Sequence, residues 1–155
     1  MTAAELVTIT KPDDWHLHLR DEIALKTTVP ATSRVFGRAI VMPNLKPPVT
    51  SVKMALNYRS RILEHKTPDS NFNPLMTLFL TDNLDPNEIV SLSNEESVVA
   101  VKYYPAGATT NSDTGVTNIK NVYRIIEKMA ELGVPLLLHG EVTENHIDIF
   151  DREKV

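Results

Sequence analysis

The sequence predicts an α/β fold built on a parallel sheet, and two observations support this prediction. Five short apolar runs, rich in Val, Ile and Leu, have the length and character of strands that helices cover. Amphipathic helical patterns separate several of these runs, and strands that alternate with helices favour a parallel sheet. The predicted strands occupy residues 15–19, 39–42, 75–80, 98–104 and 135–138.

Three segments between the runs carry helix signals. In "TSVKMALNYRSRILEHK", apolar residues recur at helical spacing and either Thr50 or Ser51 can cap the start. In "DPNEIVSL", Asp85 is a cap residue and Pro86 occupies the first helical position. The third stripe of apolar residues, from 119 to 130, is followed by Gly133, which is a typical helix stop.

Composition and charge limit the classes of function. The chain has 155 residues, 42% of them hydrophobic and 23% charged, which suits one compact domain. A net charge of −4 without a basic cluster argues against nucleic-acid binding. Because there is no cysteine, a metal would need histidine or oxygen ligands. Without a signal-like start or an apolar run of roughly 20 residues, we expect a cytoplasmic protein that does not bind membranes.

A long polar segment separates the fourth strand from the last helix. Residues 105–117, "PAGATTNSDTGVT", exceed the usual length of a βα loop, which is roughly 2–6 residues. Loops of this kind are often lids over a site, and a mobile surface excursion is the alternative.

The stretch "DWHLHLRD" places polar side chains on one face of the first strand. Strand residues alternate between faces, so His16, His18 and Arg20 share one side. In a parallel sheet both faces are usually buried, and two imidazoles at i and i+2 can then converge on a metal ion. The alternative is a solvated polar face of an open sheet.

Three other strands also end in residues that could bind a ligand. Lys102 follows a run of apolar residues in the fourth predicted strand. If it is buried there, its amine would lose its proton and could react with carbon dioxide to form a carbamate. The alternative is a lysine whose side chain extends to solvent. His139 closes the fifth run, and Asn44 follows the second. Because the carboxyl ends of parallel strands meet at one edge, we expect these residues to share a site with His18.

The remaining ionisable residues are interpreted as structural or exposed. His65 and His146 lie in charged surroundings and Glu141 is expected to be surface charge. Asp13 and Asp14 precede the first strand, away from the predicted site.

Together, "DWHLHLRD", "VMPNLKPPVT", "KYYPAGATTNS" and "LLLHGEVT" resemble dihydroorotases of the shorter bacterial and fungal class, in the amidohydrolase superfamily. The resemblance covers essentially the whole chain in order. It implies a (β/α)8 TIM barrel of the amidohydrolase type, of which this chain has about the first five βα units. Residues 1–155 would then be the N-terminal part of a single metal-dependent barrel domain.

The resemblance also implies a site with two zinc ions. His16 and His18 would hold one ion and His139 the other, and an N6-carboxylated Lys102 would bridge them. Arg20 and Asn44 would grip a substrate carboxylate, and the loop would close over the substrate. The implied substrate contacts are His18, Arg20, Asn44, Thr109, Thr110 and His139.

The implied reaction is the reversible cyclisation of N-carbamoyl-L-aspartate to L-dihydroorotate in pyrimidine synthesis, carried out by a homodimer. The family's strand-six histidine and its strand-eight aspartate, the general base, would lie beyond Val155, so we expect the chain alone to be inactive. A hydantoinase or allantoinase is an alternative, although Arg20 with Asn44 favours a carboxylate-bearing substrate. A non-catalytic scaffold is the other alternative.

Overall fold

The structure, a computed structural model, describes residues 6–154 as five parallel strands with helices between them. Each strand pairs with its neighbours in the chain, in the order β1-β2-β3-β4-β5, which is the order of strands in a (β/α)8 barrel. The strands are β1 Asp14–Leu17, β2 Arg38–Val41, β3 Asn73–Phe79, β4 Val98–Tyr103 and β5 Leu136–Leu138. The helices are α1 Leu25–Val35, α2 Val52–Glu64, α3 Pro86–Ser93 and α4 Tyr123–Leu132. Short 3-10 segments at Glu22–Ala24 and Ile119–Val122 precede α1 and α4.

The predicted helix signals act where the sequence places them. The Ser51 side chain, not that of Thr50, accepts from the Met54 N–H and caps α2. Asp85 caps α3, with Pro86 in its first turn. Gly133 ends α4 in the left-handed conformation, at φ 69°, which glycine adopts without steric cost.

Helix α1 is the element that the sequence analysis did not identify. Its sequence, "LKTTVPATSRV", contains Pro30, which has no N–H to donate within the helix, and several Thr and Ser residues. The buried side chains Leu25, Val29, Thr32 and Ser33 nevertheless recur at helical spacing. Packing of this face against the sheet outweighs the weak helix propensity.

The alternation of strand residues gives the sheet two distinct faces. Val41, Leu78 and Val101 point toward the helices and belong to the hydrophobic core. Their neighbours in sequence point to the opposite, inner face, where the side chains of Phe79 and Lys102 are buried outside that core. This alternation places the polar strand-end residues on the inner face.

The strand boundaries differ slightly from those predicted. β1 begins at Asp14 and ends at Leu17, so Asp14 lies in the strand and His18 just after it. β3 begins at Asn73, earlier than expected, and β5 is shorter than its apolar run. None of the helices in residues 6–154 is long and apolar enough to span a bilayer.

Candidate active site

His16 and His18 form the first part of the site. Their Nε2 atoms lie 3.2 Å apart and their ring centroids 5.2 Å apart. Two nitrogen ligands of a tetrahedral zinc ion, each bonded at roughly 2.0–2.1 Å, are separated by about 3.3 Å. The pair therefore fits one metal ion, although one ring donating a hydrogen bond to the other gives the same separation.

The surroundings of both rings favour their neutral form. His16 is exposed as a whole, but partial burial of its ring lowers its pKa, and the nearby positive charge of Lys102 lowers it further. Burial and the Arg20 guanidinium likewise lower the pKa of His18. Nδ1 of His18 has no partner at hydrogen-bond geometry in the described part of the chain, although the Asn44 amide lies near enough to favour the protonated ring. Neutral imidazole is the form that binds metals.

Lys102 is buried on the inner face at the end of β4. Only 2% of its surface is exposed, so the alternative of a side chain extended to solvent does not apply. Burial lowers the pKa of its amine. Within residues 6–154 Nζ has no hydrogen bond or ion pair, and it lies 4.9 Å from the centroid of the Tyr104 ring. A lowered pKa increases the share of neutral amine, which is the form that can react with carbon dioxide.

His139 follows β5 and contacts a residue that the sequence analysis misjudged. Its Nε2 lies 2.8 Å from Oε2 of Glu141. Glu141 is not surface charge as predicted: only 15% of its side chain is exposed, and Arg152 lies 3.8 Å from its other oxygen. The chain after β5 folds back, with the Val142 N–H donating to the Arg152 carbonyl, and this turn encloses the carboxylate.

The structure brings the predicted ligands to one face of the sheet without forming a complete metal-binding site. The charges of Lys102 and His139 both act on His16, which places the three groups near one another. The Tyr104 ring is close to both Lys102 and His139, with its centroid 4.9 Å from Nζ of Lys102 and 5.8 Å from the centroid of the His139 ring. Among residues 6–154, no group of three or more His, Cys, Asp or Glu side chains is arranged to hold a metal.

Asn44 connects the second strand to the long loop. It is 2% exposed, and its Nδ2 donates to the Thr110 carbonyl at 2.8 Å. In return, Asn111 Nδ2 donates to the Asn44 carbonyl at 3.0 Å. Thr109 and Thr110 themselves are exposed. The loop therefore packs onto the turn after β2, with its two threonines at the surface.

Arg20 is exposed beside His18 and has a left-handed backbone, at φ 60°. The Tyr58 hydroxyl donates to the Arg20 carbonyl and supports this turn. The other polar residues mostly match expectation: His146 is exposed, His65 is half-buried, and Asp13 is structural because it pairs with Arg38 at 2.5 Å.

Tyr104 is a site residue that the sequence analysis missed. It is 1% exposed, its hydroxyl has no partner among residues 6–154, and its ring stacks on Phe79 with centroids 5.3 Å apart. Burial raises the pKa of the hydroxyl to about 12. Its position two residues after Lys102, and so on the same face, was the available signal.

Comparisons with known proteins agree with this geometry. A scan of protein-family models gives no match. The chain is 61% identical over 146 residues to a dihydroorotase from Hahella chejuensis, covering 94% of this chain and 42% of the relative. It is also 61% identical over 151 residues to one from Synechocystis, covering 97% of this chain and 44% of the relative. The chain thus spans less than half the length of these curated relatives.

Solved structures show the same relationship. A dihydroorotase from Campylobacter jejuni superposes with a TM-score of 0.82 at 41% identity, covering 92% of this chain and 41% of that one. A dihydroorotase from Saccharomyces cerevisiae, in complex with 5-fluoroorotic acid, gives 0.81 at 30% identity over the same shares of the two chains. An L-hydantoinase from Arthrobacter aurescens, at 0.66 and 16% identity, shares the fold alone. In sequence and in fold, this chain, a curled half-barrel of the amidohydrolase type, matches the N-terminal part of dihydroorotases.

Proposed function

We propose that this chain is the N-terminal part of a dihydroorotase that interconverts N-carbamoyl-L-aspartate and L-dihydroorotate. The observation that carries the proposal is the 61% identity to dihydroorotases over 94% of the chain. The 3.2 Å separation of the His16 and His18 nitrogens, beside a buried Lys102, supports a metal-dependent mechanism.

Four residues of this chain would hold two zinc ions. His16 and His18 would bind one ion, His139 the other, and Lys102 would bridge them once carboxylated. Zinc in such a site supplies a water of lowered pKa and polarises the amide carbonyl of the ring.

The chain's own environment prepares these ligands. Burial favours neutral His16 and His18, whose nitrogen lone pairs are then free to bind. Burial also favours the neutral amine of Lys102. Its nitrogen can attack the carbon of carbon dioxide, forming an N–C bond and releasing a proton. The resulting carbamate is anionic and offers two oxygens, so the site gains a bridging ligand from a residue that is otherwise costly to bury.

Arg20 and Asn44 would bind the substrate carboxylate. The exposed Arg20 guanidinium can bind a carboxylate with two parallel hydrogen bonds. The Asn44 amide has two N–H donors, and the Thr110 carbonyl accepts one of them, which leaves the other for substrate. Because Asn44 contacts the loop and would also bind the substrate carboxylate, loop position and substrate binding would be coupled, with Thr109 and Thr110 contributing from the loop.

The test is an assay of the full-length gene product with L-dihydroorotate and with hydantoin, together with its zinc content. We expect turnover of L-dihydroorotate and two zinc ions per chain. Arg20→Met should raise KM for L-dihydroorotate at least about tenfold, since it removes a charged hydrogen-bond partner worth roughly 1.5–3 kcal/mol. Lys53→Met, on the exposed face of α2, is the control. Faster turnover of hydantoin, or a protein without metal or activity, would refute the proposal.

The resemblance extends the proposal to assembly and location. We propose that the full-length protein is a homodimer, that it is located in the cytoplasm, and that it binds this small substrate. Light scattering of the gene product and fractionation of cells test these two points separately.

A further inference from the structure

We propose that Glu141 is a positioning residue, which holds the His139 ring with its proton on Nε2 and so presents Nδ1 to the metal. This inference rests on the proposed function, because it concerns a ligand of the proposed zinc site. Glu141 itself is outside the proposed set of ligands.

The Glu141 carboxylate has a hydrogen-bond partner on one side and a nearby cation on the other. Oε2 of Glu141 lies 2.8 Å from Nε2 of His139, and Oε1 lies 3.8 Å from Nη1 of Arg152. The backbone hydrogen bond from Val142 to Arg152, at 2.9 Å, fixes the turn that brings the guanidinium to Glu141. With 15% of its side chain exposed, Glu141 is partly shielded from water, which strengthens its hydrogen bonds.

The His139 ring is constrained from other directions as well. Its backbone N–H donates to the Tyr103 carbonyl at 3.1 Å, which anchors the residue to the end of β4. Its ring packs against Tyr104, with centroids 5.8 Å apart and planes inclined at 39°. A half-turn of the ring about the Cβ–Cγ bond would put Cε1 in the place of Nε2 and so break the contact with Glu141.

The chemistry of the pair then decides which nitrogen is free. An ionised carboxylate only accepts hydrogen bonds, so the Nε2 that faces Glu141 must carry a proton. In the neutral ring the lone pair is then on Nδ1, the only other nitrogen. A carboxylate that accepts a hydrogen bond from the nitrogen not bound to the metal fixes the orientation of the histidine ring. It also makes the metal-bound nitrogen a stronger electron-pair donor to the metal. Removing such a partner typically weakens metal binding about 10–100-fold.

The first test needs no metal. In the full-length gene product labelled with 15N-histidine, long-range proton–nitrogen spectra report the tautomer of each histidine, and the signal that disappears in His139→Gln is the one from His139. We expect the Nε2–H form of His139 in the unsubstituted protein and in Glu141→Gln, whose carbonyl oxygen still accepts, but a mixture in Glu141→Ala. Glu144→Ala, at an exposed position on the same segment, is the control and should change nothing. An unchanged tautomer in Glu141→Ala, or its loss in Glu141→Gln, would overturn the inference.

The second test measures zinc affinity by competition with a chelator. We expect Glu141→Ala to bind its weaker zinc about 10–100-fold less tightly than the unsubstituted protein, and Glu144→Ala to bind it equally. Equal affinity in Glu141→Ala would overturn the role in metal binding. If the unsubstituted protein binds no zinc, the proposed function fails, whereas the tautomer measurement still tests whether Glu141 orients His139.

Discussion

Replacing Lys102 with methionine is expected to stabilise the metal-free fold while removing the bridging ligand. Lys102 is 2% exposed and, within residues 6–154, Nζ has no hydrogen bond or ion pair. Methionine has a similar length and no polar atom that needs a partner, so it can occupy the same space without the desolvation cost.

The magnitude follows from two opposing contributions. A buried polar group without a partner costs about 1–3 kcal/mol. The contact of Nζ with the Tyr104 ring, at 4.9 Å, would return about 0.5–1 kcal/mol if the amine were charged. Burial lowers the pKa of this amine, so the desolvation cost is the larger contribution. The middle of these ranges predicts that Lys102→Met raises the free energy of unfolding by about 1 kcal/mol, which corresponds to roughly 2–4 °C in Tm.

The assay is urea unfolding of the 155-residue chain followed by far-ultraviolet circular dichroism, in EDTA and without added bicarbonate. Lys53→Met is the matched control, because Lys53 is exposed on α2 and its replacement should change stability by less than about 0.5 kcal/mol. If Lys102→Met were no more stable than the unsubstituted chain while Lys53→Met behaved as expected, the buried amine would not be a cost to the fold and the reasoning would be wrong.

Three further predictions concern other parts of the fold. Burial raises the pKa of Asp21, but hydrogen bonds from Arg61 and the Glu22 N–H outweigh burial, and the pKa is lowered below 3.8. The stability that this carboxylate contributes is therefore present above about pH 4 and is lost as pH falls through the folded-state pKa. Asp21→Asn should lower the free energy of unfolding by about 1 kcal/mol at pH 7, and its urea midpoint should fall less in acid than that of the unsubstituted chain. Asn111→Ala removes one hydrogen bond from the long loop, worth about 1 kcal/mol, at a residue whose left-handed backbone (φ 56°) suits asparagine better than alanine. It should speed limited proteolysis within residues 105–117 at least about fivefold. Gly115→Ala would bring a Cβ to 2.5 Å from the Tyr104 carbonyl oxygen and should lower the free energy of unfolding by about 1–3 kcal/mol.

Each of these three has a matched control. Asp69→Asn, at an exposed carboxylate, should leave the acid dependence of the urea midpoint unchanged, and equal behaviour of the two Asn variants would contradict the role of Asp21. Thr114→Ala lies in the same loop as Asn111 and should leave proteolysis unchanged; similar rates for both would show that the Asn44 contact does not hold the loop. Gly140→Ala meets no atom within 4 Å of its Cβ and should be neutral, whereas equal loss at Gly140 and Gly115 would refute the steric argument.

The sequence predicted more of the sheet than of the site. The five strands and helices α2 to α4 follow from local signals, namely apolar runs, caps and a terminal glycine, which do not depend on distant residues. Helix α1 was missed because Pro30 and its polar neighbours weaken the local signal, and only packing against the sheet makes the segment helical. Asn44 and Lys102 were found as strand-end residues, but their burial depends on neighbours that the alternation of residues cannot identify.

Glu141 and Tyr104 show most clearly what local pattern could not give. A glutamate after a strand end is usually solvated, and here it is enclosed because the chain folds back and brings Arg152 to it. In the sequence Tyr104 has the features of an ordinary strand residue. Only the structure shows that Phe79, His139 and Lys102 lie close to its ring.

By itself, the sequence determined that the strands run in parallel and that His16, His18, Lys102 and His139 lie at their carboxyl ends, because strand periodicity and connection type are local properties. Only the tertiary structure decided which of these groups meet at short range, which carboxylate faces His139 and how the loop contacts Asn44. The loop contact joins residues far apart in sequence, Asn44 and Asn111, so no local pattern predicts it. His139 and Glu141 are close in sequence, but their contact depends on the turn that brings Arg152 to the carboxylate.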